Sequence, residues 1–485
     1  MNTFSRRGFI AASAAALAAA QMPRLAFAQA TTPIALSATT RTLDIDGRAA
    51  TVFGLAGPGG QGLILDPGQR FRVDLTNNLD VPTIVHWHGQ IPPNALDGAP
   101  NTAPLLTPGE MRSYDFEPRP GTFWMHAHVV AHEMRLLAAP LIVRAPEDLS
   151  ADRQEVVLFL HDFSFKTPDE VLAEIAAGGA DHGDAAAAPG MGSMPGMDHG
   201  AMGGMQMGGM GGMAMDLNDY NWDAYLANDR TLSDPEVVQV ERGGRIRLRV
   251  INAAAATVFW IDTGKAEARL IAVDGDPVQP ISGTRFGLAM AQRMDFEIDL
   301  PDEGGAWPIL ALREGARDRT GIILATPGAE VRRIDALAES DAPAFDTDLA
   351  QEARLVALHP LADQPVERRH MVMLGGSMQP YVWTINGAVW GQHQPIAARR
   401  GERVSLTFHN MSMMGHPMHL HGHAFQVVGI NGRRIAGALR DTVYVPPMAM
   451  VEIALDAGEA APWLLHCHHM AHMATGMMTE FSVTA

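Results

Sequence analysis

The chain reads as all-β, with three Greek-key β-sandwich domains in a row. Three observations predict this. One strand-like unit occurs three times, short period-2 runs bounded by Gly and Pro recur throughout, and sustained helical periods are few. The unit is clearest in Gly68-Gln-Arg-Phe-Arg-Val-Asp-Leu-Thr-Asn77. It returns as Gly243 to Asn252 and as Gly401 to Asn410, each time Gly-x-Arg, alternating apolar residues and a closing Asn. Side chains two apart share one face of a strand, so each copy predicts a half-buried strand behind a glycine turn. Offsets of 175 and 158 residues between the copies are ordinary domain lengths.

Residues 1–28 read as an export leader. Ser5-Arg6-Arg7-Gly8-Phe9-Ile10 is a twin-arginine pattern, an Ala-rich stretch follows, and Ala26-Phe27-Ala28 is a small-x-small cleavage site. The apolar run is too short to span a bilayer, which takes about 20 residues. The expected location is the periplasm, reached by the twin-arginine route. Residues 29–147 are the expected first sandwich, 148–335 the second and 336–485 the third.

Inside the second, residues 180–216 are almost wholly Gly, Ala, Met, Asp and His, and nine of the chain's 29 methionines lie from Met191 to Met215. Such a segment buries too little to offset its ordering entropy and reads as a flexible loop. Its thioethers suit Cu(I), which makes it a candidate trap or feeder for that ion.

Without residues 1–28 the chain keeps 33 basic and 54 acidic residues, a balance of −21. Such a surface repels phosphate backbones and anionic lipid, so neither nucleic acid nor membrane insertion is expected. It attracts cations. Cys467 is the only cysteine, so no disulfide stabilises the chain, and core burial must do so.

The chemistry lies in four His-x-His pairs: His86/His88, His126/His128, His419/His421 and His466/His468. On a strand the two members of a pair face the same way, roughly 7 Å apart, so each pair can serve two neighbouring metals. Eight imidazoles shared as three, three and two hold three ions. The pairs echo one another: His86-Trp-His88-Gly89 matches His419-Leu-His421-Gly422, and the run ending His126-Ala-His128 matches that ending His466-Cys-His468. The middle copy has no such pair and reads as a spacer that sets the geometry of the other two. Cys467, between His466 and His468, points to the opposite face and so to a different metal. With His416, His472 and Met477 it supplies a thiolate, two imidazoles and a thioether, the set expected of a blue electron-transfer copper with a weak axial Met. The other ten histidines, His423 and His469 among them, read as surface residues or as supports behind the ligands.

These blocks resemble those of the multicopper oxidases, the superfamily of laccases, ascorbate oxidases and bacterial copper-tolerance oxidases. The resemblance covers essentially the whole chain after the leader and implies cupredoxin-like sandwiches. It also implies four coppers that reduce dioxygen to water with electrons from a small donor. Carried over by position, the type-1 copper takes His416, Cys467, His472 and, axially, Met477. The type-2 copper takes His86 and His419. One type-3 copper takes His88, His126 and His468, and the other takes His128, His421 and His466. Asp97, eleven residues after His86, matches the family's proton-relay carboxylate beside the type-2 copper. Some relatives place a second acid directly after the last type-1 histidine, where this chain has Met473.

The substrate is less marked. Met411, Met413, Met414, Met418, Met448, Met450, Met470, Met473 and Met478 flank the type-1 ligands. Met414, two residues before His416, resembles a methionine that bacterial cuprous oxidases use near this copper. The acid those enzymes carry two positions earlier is Ser412 here. Cu(I) oxidation in copper tolerance is the expected activity. A laccase-like phenol oxidase, an Fe(II) or Mn(II) oxidase and a periplasmic copper store are the alternatives.

Overall fold

A computed structural model describes residues 32–178, 217–345 and 348–485. The leader and the Met-rich run lie outside the described residues. Among the described residues the regular structure is nearly all β, arranged as six main sheets, two for each copy of the repeat. In the first copy, strand Ile34–Ile45 pairs antiparallel with Arg48–Gly57 and parallel with the repeat strand Phe71–Asn77. The same pattern joins Gln154–Phe163 to Ala224–Ala227 and Arg245–Asn252, and Arg368–Met378 to Tyr381–Ile385 and Arg403–Asn410.

The closing Asn of each copy has a structural reason. Asn77, Asn252 and Asn410 are fully buried where the repeat strand turns away from its sheet. Each Oδ1 accepts the N–H two residues on, from Leu79, Ala254 and Ser412. Each Nδ2 donates to carbonyls of the chain beyond: Val81 and Leu106, then Thr257 and Leu288, then Met414, Val445 and Pro446. Removing any one takes a hydrogen bond from two or three carbonyls and one N–H at the corner, each bond contributing about 1 kcal/mol. In the third copy this corner fixes the loop that leads into His416.

Each copy has its own core between its two sheets, built on residues such as Phe71 and Trp87, Leu248 and Phe296, and Phe408 and Trp463. A separate apolar seam of Trp124, Ile142, Phe159 and Ile251 joins the first sandwich to the second. No helix among the described residues is long and apolar enough to cross a membrane.

Candidate metal centre

Two strand pairs carry the histidines. Val85–His88 runs antiparallel to Gly121–Ala127 with His86 opposite His126. His416–Leu420 runs antiparallel to Pro462–Cys467 with His419 opposite His466. Alternation sends Trp87 into the first core and Cys467 into the third, while the histidines face a common seam between the first and third sandwiches. There His86 stacks on His421 at 3.9 Å and His88 on His419 at 3.7 Å.

The ring nitrogens show what the seam is built to hold. Nδ1–H of His86 donates to the Asp97 carbonyl at 2.8 Å, and that of His419 to the Asp441 carbonyl at 2.9 Å. Their bare Nε2 atoms then face each other at 3.4 Å, with no hydrogen between them. Likewise Nε2 of His421 and of His466 approach to 3.1 Å, and His128 completes a close group with them. Nδ1 of His88 and Nε2 of His126, His128 and His468 are buried without any partner. Burial, reinforced by the neighbouring imidazoles, holds His86, His88, His128, His419, His421 and His468 well below the usual histidine range. Burial lowers His466 to about 4. Facing lone pairs on neutral imidazoles repel unless a cation lies between them. The donor set therefore fits the metal cluster expected there.

The second group lies on the far side of the Cys467 strand. Nδ1 atoms of His416 and His472 are 3.1 Å apart, and Cys467 Sγ is 3.7 and 3.5 Å from them. Burial pushes the Cys467 thiol up, so without a cation it keeps its proton; a bound metal makes it a thiolate. Met477 is fully buried, and its backbone ties the group together. Its carbonyl accepts the Cys467 N–H and its N–H donates to the His472 carbonyl, both at 3.1 Å. Met414 is buried in the same cluster. Because Cys467 is flanked in the chain by His466 and His468, its backbone joins the two groups covalently.

Asp97 follows a short 3-10 turn, and Gly98 behind it (φ +80°) is obligatory, since a Cβ there would come within 1.8 Å of the Val85 carbonyl. The turn thus lies directly on the His86 strand. Asp97 Oδ2 is 2.7 Å from His421 Nδ1 and Oδ1 is 3.6 Å from His86 Nδ1. Burial raises its carboxyl to about 8.

Several contributors escape a reading of the sequence. Three buried carboxylates each touch one histidine from each side of the seam. Besides Asp97, Asp441 lies 3.1 Å from His88 Nε2 and 3.7 Å from His419 Nδ1, and Glu133 lies 2.8 Å from His126 Nδ1 and 3.7 Å from His468 Nδ1. Ser412, noted only as the departure from an acid, sits on His416 Nε2 at 2.9 Å. Asp219 is 3.4 Å from Nε2 of both His469 and His472, and the Tyr381 hydroxyl donates to it. The middle sandwich acts on that geometry through side chains of its own: its Asp219 reaches His472 and its Arg293 pairs with Asp441. His423 and His469 are buried supports, on the His421 carbonyl and against the His472 ring. His161 belongs to neither expected group, being buried in the middle sandwich with Nδ1–H on the Ala253 carbonyl.

This fold and these donor sets are those of a multicopper oxidase, and the chain belongs to that family. Models described as multicopper oxidase match residues 39–148, 154–326 and 364–485. The chain is 32% identical to multicopper oxidase MmcO of Mycobacterium tuberculosis, over 98% of this chain and 96% of that one. It is 25% identical to a copper resistance protein A homolog of Pseudomonas syringae pv. tomato, over 86% of each. The solved laccase from Botrytis aclada shares the fold, with a TM-score of 0.72, 21% identity and coverage of 92% of this chain and 87% of that one. The protein is accordingly a copper-dependent oxidoreductase with dioxygen as acceptor.

Proposed function

We propose that the donor oxidised by this protein is Cu(I), in the service of copper tolerance. The observation that carries this is the outer edge of His416. Ser412 holds its Nε2, and on either side of Ser412 stand Met411 and Met413. Met448 is brought alongside by its N–H to the Ser412 carbonyl. Met411 and Met448 are 58% and 63% exposed, on a protein that buries most of its apolar side chains. Exposed thioethers beside a ligand histidine make a soft docking site for Cu(I), and Met414 of the same loop is buried in the cluster that holds Cys467 and Met477.

Both flanks of the Met-rich run support the same reading. Val171 and Ile175 of helix Pro168–Ala176, just before it, pack in the apolar cluster that holds Cys467 and Met477. Asp219, just after it, touches His472. A relative of this chain is named for copper resistance. Four coppers, held as the resemblance allots them, belong to this proposal, as do export through the leader and a periplasmic site of action.

When bound, copper supplies one-electron redox chemistry and the site of dioxygen reduction. The protein's own part is to exclude bulk water, to present bare imidazole nitrogens, and to hold a proton on Asp97 beside His421 for delivery as dioxygen is reduced. The test is steady-state oxygen consumption by copper-loaded protein with Cu(I), Fe(II), Mn(II) and a phenol in parallel. Cu(I) should give the highest kcat/KM. A higher value for a phenol, Fe(II) or Mn(II) overturns the substrate, and no consumption with any of them makes the protein a store.

A further inference from the structure

We propose that Glu133 is a positioning residue of the copper cluster: its carboxylate bridges His126 of the first sandwich and His468 of the third, and selects the ring nitrogen that His468 presents. The inference rests on the reading of the seam as a copper site.

Glu133 closes the short helix Val130–Glu133, which begins two residues after His128, and its side chain is 1% exposed. A carboxylate so deeply buried normally has a cation beside it. Asp441 has Arg293. Glu133 has no Arg or Lys within salt-bridge range among the described residues; its charged-group contacts are His126, 2.8 Å from Oε2, and His468, 3.7 Å from Oε1. Positive charge shared onto those two rings from a bound metal is the compensation that the surroundings lack.

The two rings depend on it unequally. His126 Nδ1–H has a second acceptor, the Ala127 carbonyl at 3.1 Å, so its tautomer is fixed twice over. His468 has no such second acceptor from another residue: its own backbone is the one other polar group that acts on the ring, neither ring nitrogen makes a well-formed hydrogen bond, and the Glu133 Oε1 that faces its Nδ1 is also without one. At 3.7 Å the contact is electrostatic, beyond hydrogen-bond range. A carboxylate there favours the proton on Nδ1 and leaves Nε2 bare for the cluster. Removing a carboxylate behind a ligand histidine typically weakens metal binding by about 10–100-fold.

Glu133→Gln keeps the shape but offers one acceptor for two imidazoles, and Glu133→Ala removes both. Both variants are compared with wild type as full-length protein. Copper retained per chain is titrated against a graded chelator, with the blue absorption of the Cys467 group followed in the same samples. Each variant should release cluster copper at about 10–100-fold lower chelator strength while keeping the blue band. Ring-nitrogen NMR of the copper-free, 15N-labelled protein should show His468 leaving the Nδ1–H tautomer in both variants and His126 keeping it. Should Glu133→Ala fail to fold, the isosteric Gln variant carries the test. Unchanged copper retention with unchanged His468 nitrogen signals overturns the proposal, and so does loss of the blue band in step with cluster copper, which is general loosening. Wild type that binds no copper beyond the blue one would instead sink the cluster reading itself.

Discussion

Asp97→Asn separates the two duties of one residue. The variant keeps the shape of the side chain and the backbone carbonyl that receives His86 Nδ1–H at 2.8 Å. It loses only the titrating carboxyl beside His421. In the copper-free protein burial raises that carboxyl to about 8, against 3.8 for the exposed group. Between those values the folded chain holds a proton that the unfolded chain has released, so this group's contribution to stability is full at low pH and is lost as pH rises. The slope is about 1.4 kcal/mol per pH unit. The buried histidines act in the opposite sense. Their folded values lie below 6.5, so the stability they govern is complete above that pH and is lost on acidification. From pH 6.5 to 8 the carboxyl's slope is therefore isolated, and copper-free wild type should lose about 2 kcal/mol relative to Asp97→Asn. Urea unfolding of both proteins at half-unit pH steps reads this, since every group common to both cancels in the difference. In the copper-loaded pair, oxygen reduction by the variant should fall on the order of 100-fold, the usual consequence of losing a general acid. Bleaching of the blue band by the donor should keep its rate. Parallel stability curves together with unchanged turnover at neutral pH would reduce Asp97 to a turn residue.

Cys467→Ser should abolish both the blue absorption and turnover, while the eight seam histidines still load copper; a surviving blue band refutes the type-1 assignment. Deleting Ala188 to Met215 should lower Cu(I) turnover at low free copper and leave all four coppers bound. If the segment also screens the site from bulky donors, phenol oxidation should rise, and an unmoved ratio of Cu(I) to phenol turnover argues against both roles.

The sandwiches and the ligands were legible because their signals are local. A strand alternates every second residue, so His-Trp-His and His-Cys-His state on their own which side chains share a face, and the Gly-x-Arg unit repeats because the same Asn corner must be closed three times. Apart from Asp97, the buried carboxylates were not legible. Asp441 is 353 residues from the His88 it touches, and Asp441, Glu133 and Asp219 are three among 54 acidic residues with no pattern around them. Their roles come from the packing of one sandwich against another, and no periodicity within a strand records that. Met473 illustrates the difference. The sequence shows an acid missing after His472, but only the fold shows Glu133 arriving from the first sandwich to face His468.

The same reasoning explains why a sandwich without ligands is part of the centre. The cluster's histidines are divided between the first and third copies, so their spacing is only as rigid as the contact between those copies. Arg293, fully buried in the middle copy, donates to the Thr122 carbonyl of the first copy at 3.2 Å and to Asp441 of the third at 2.7 Å. Gln292 beside it donates to the Thr442 carbonyl at 3.1 Å. Asp441 in turn holds His88 through Nε2, which leaves Nδ1 as the nitrogen that ring can present. Burying an arginine and a carboxylate is costly unless both are fully paired, and breaking such a pair typically costs about 3–5 kcal/mol. That cost makes the joint between the two sandwiches a contact that is either made completely or strongly disfavoured. The middle sandwich thus sets the distance between two half-sites, and His88 and His419 come into register through a charge neither of their own sandwiches supplies.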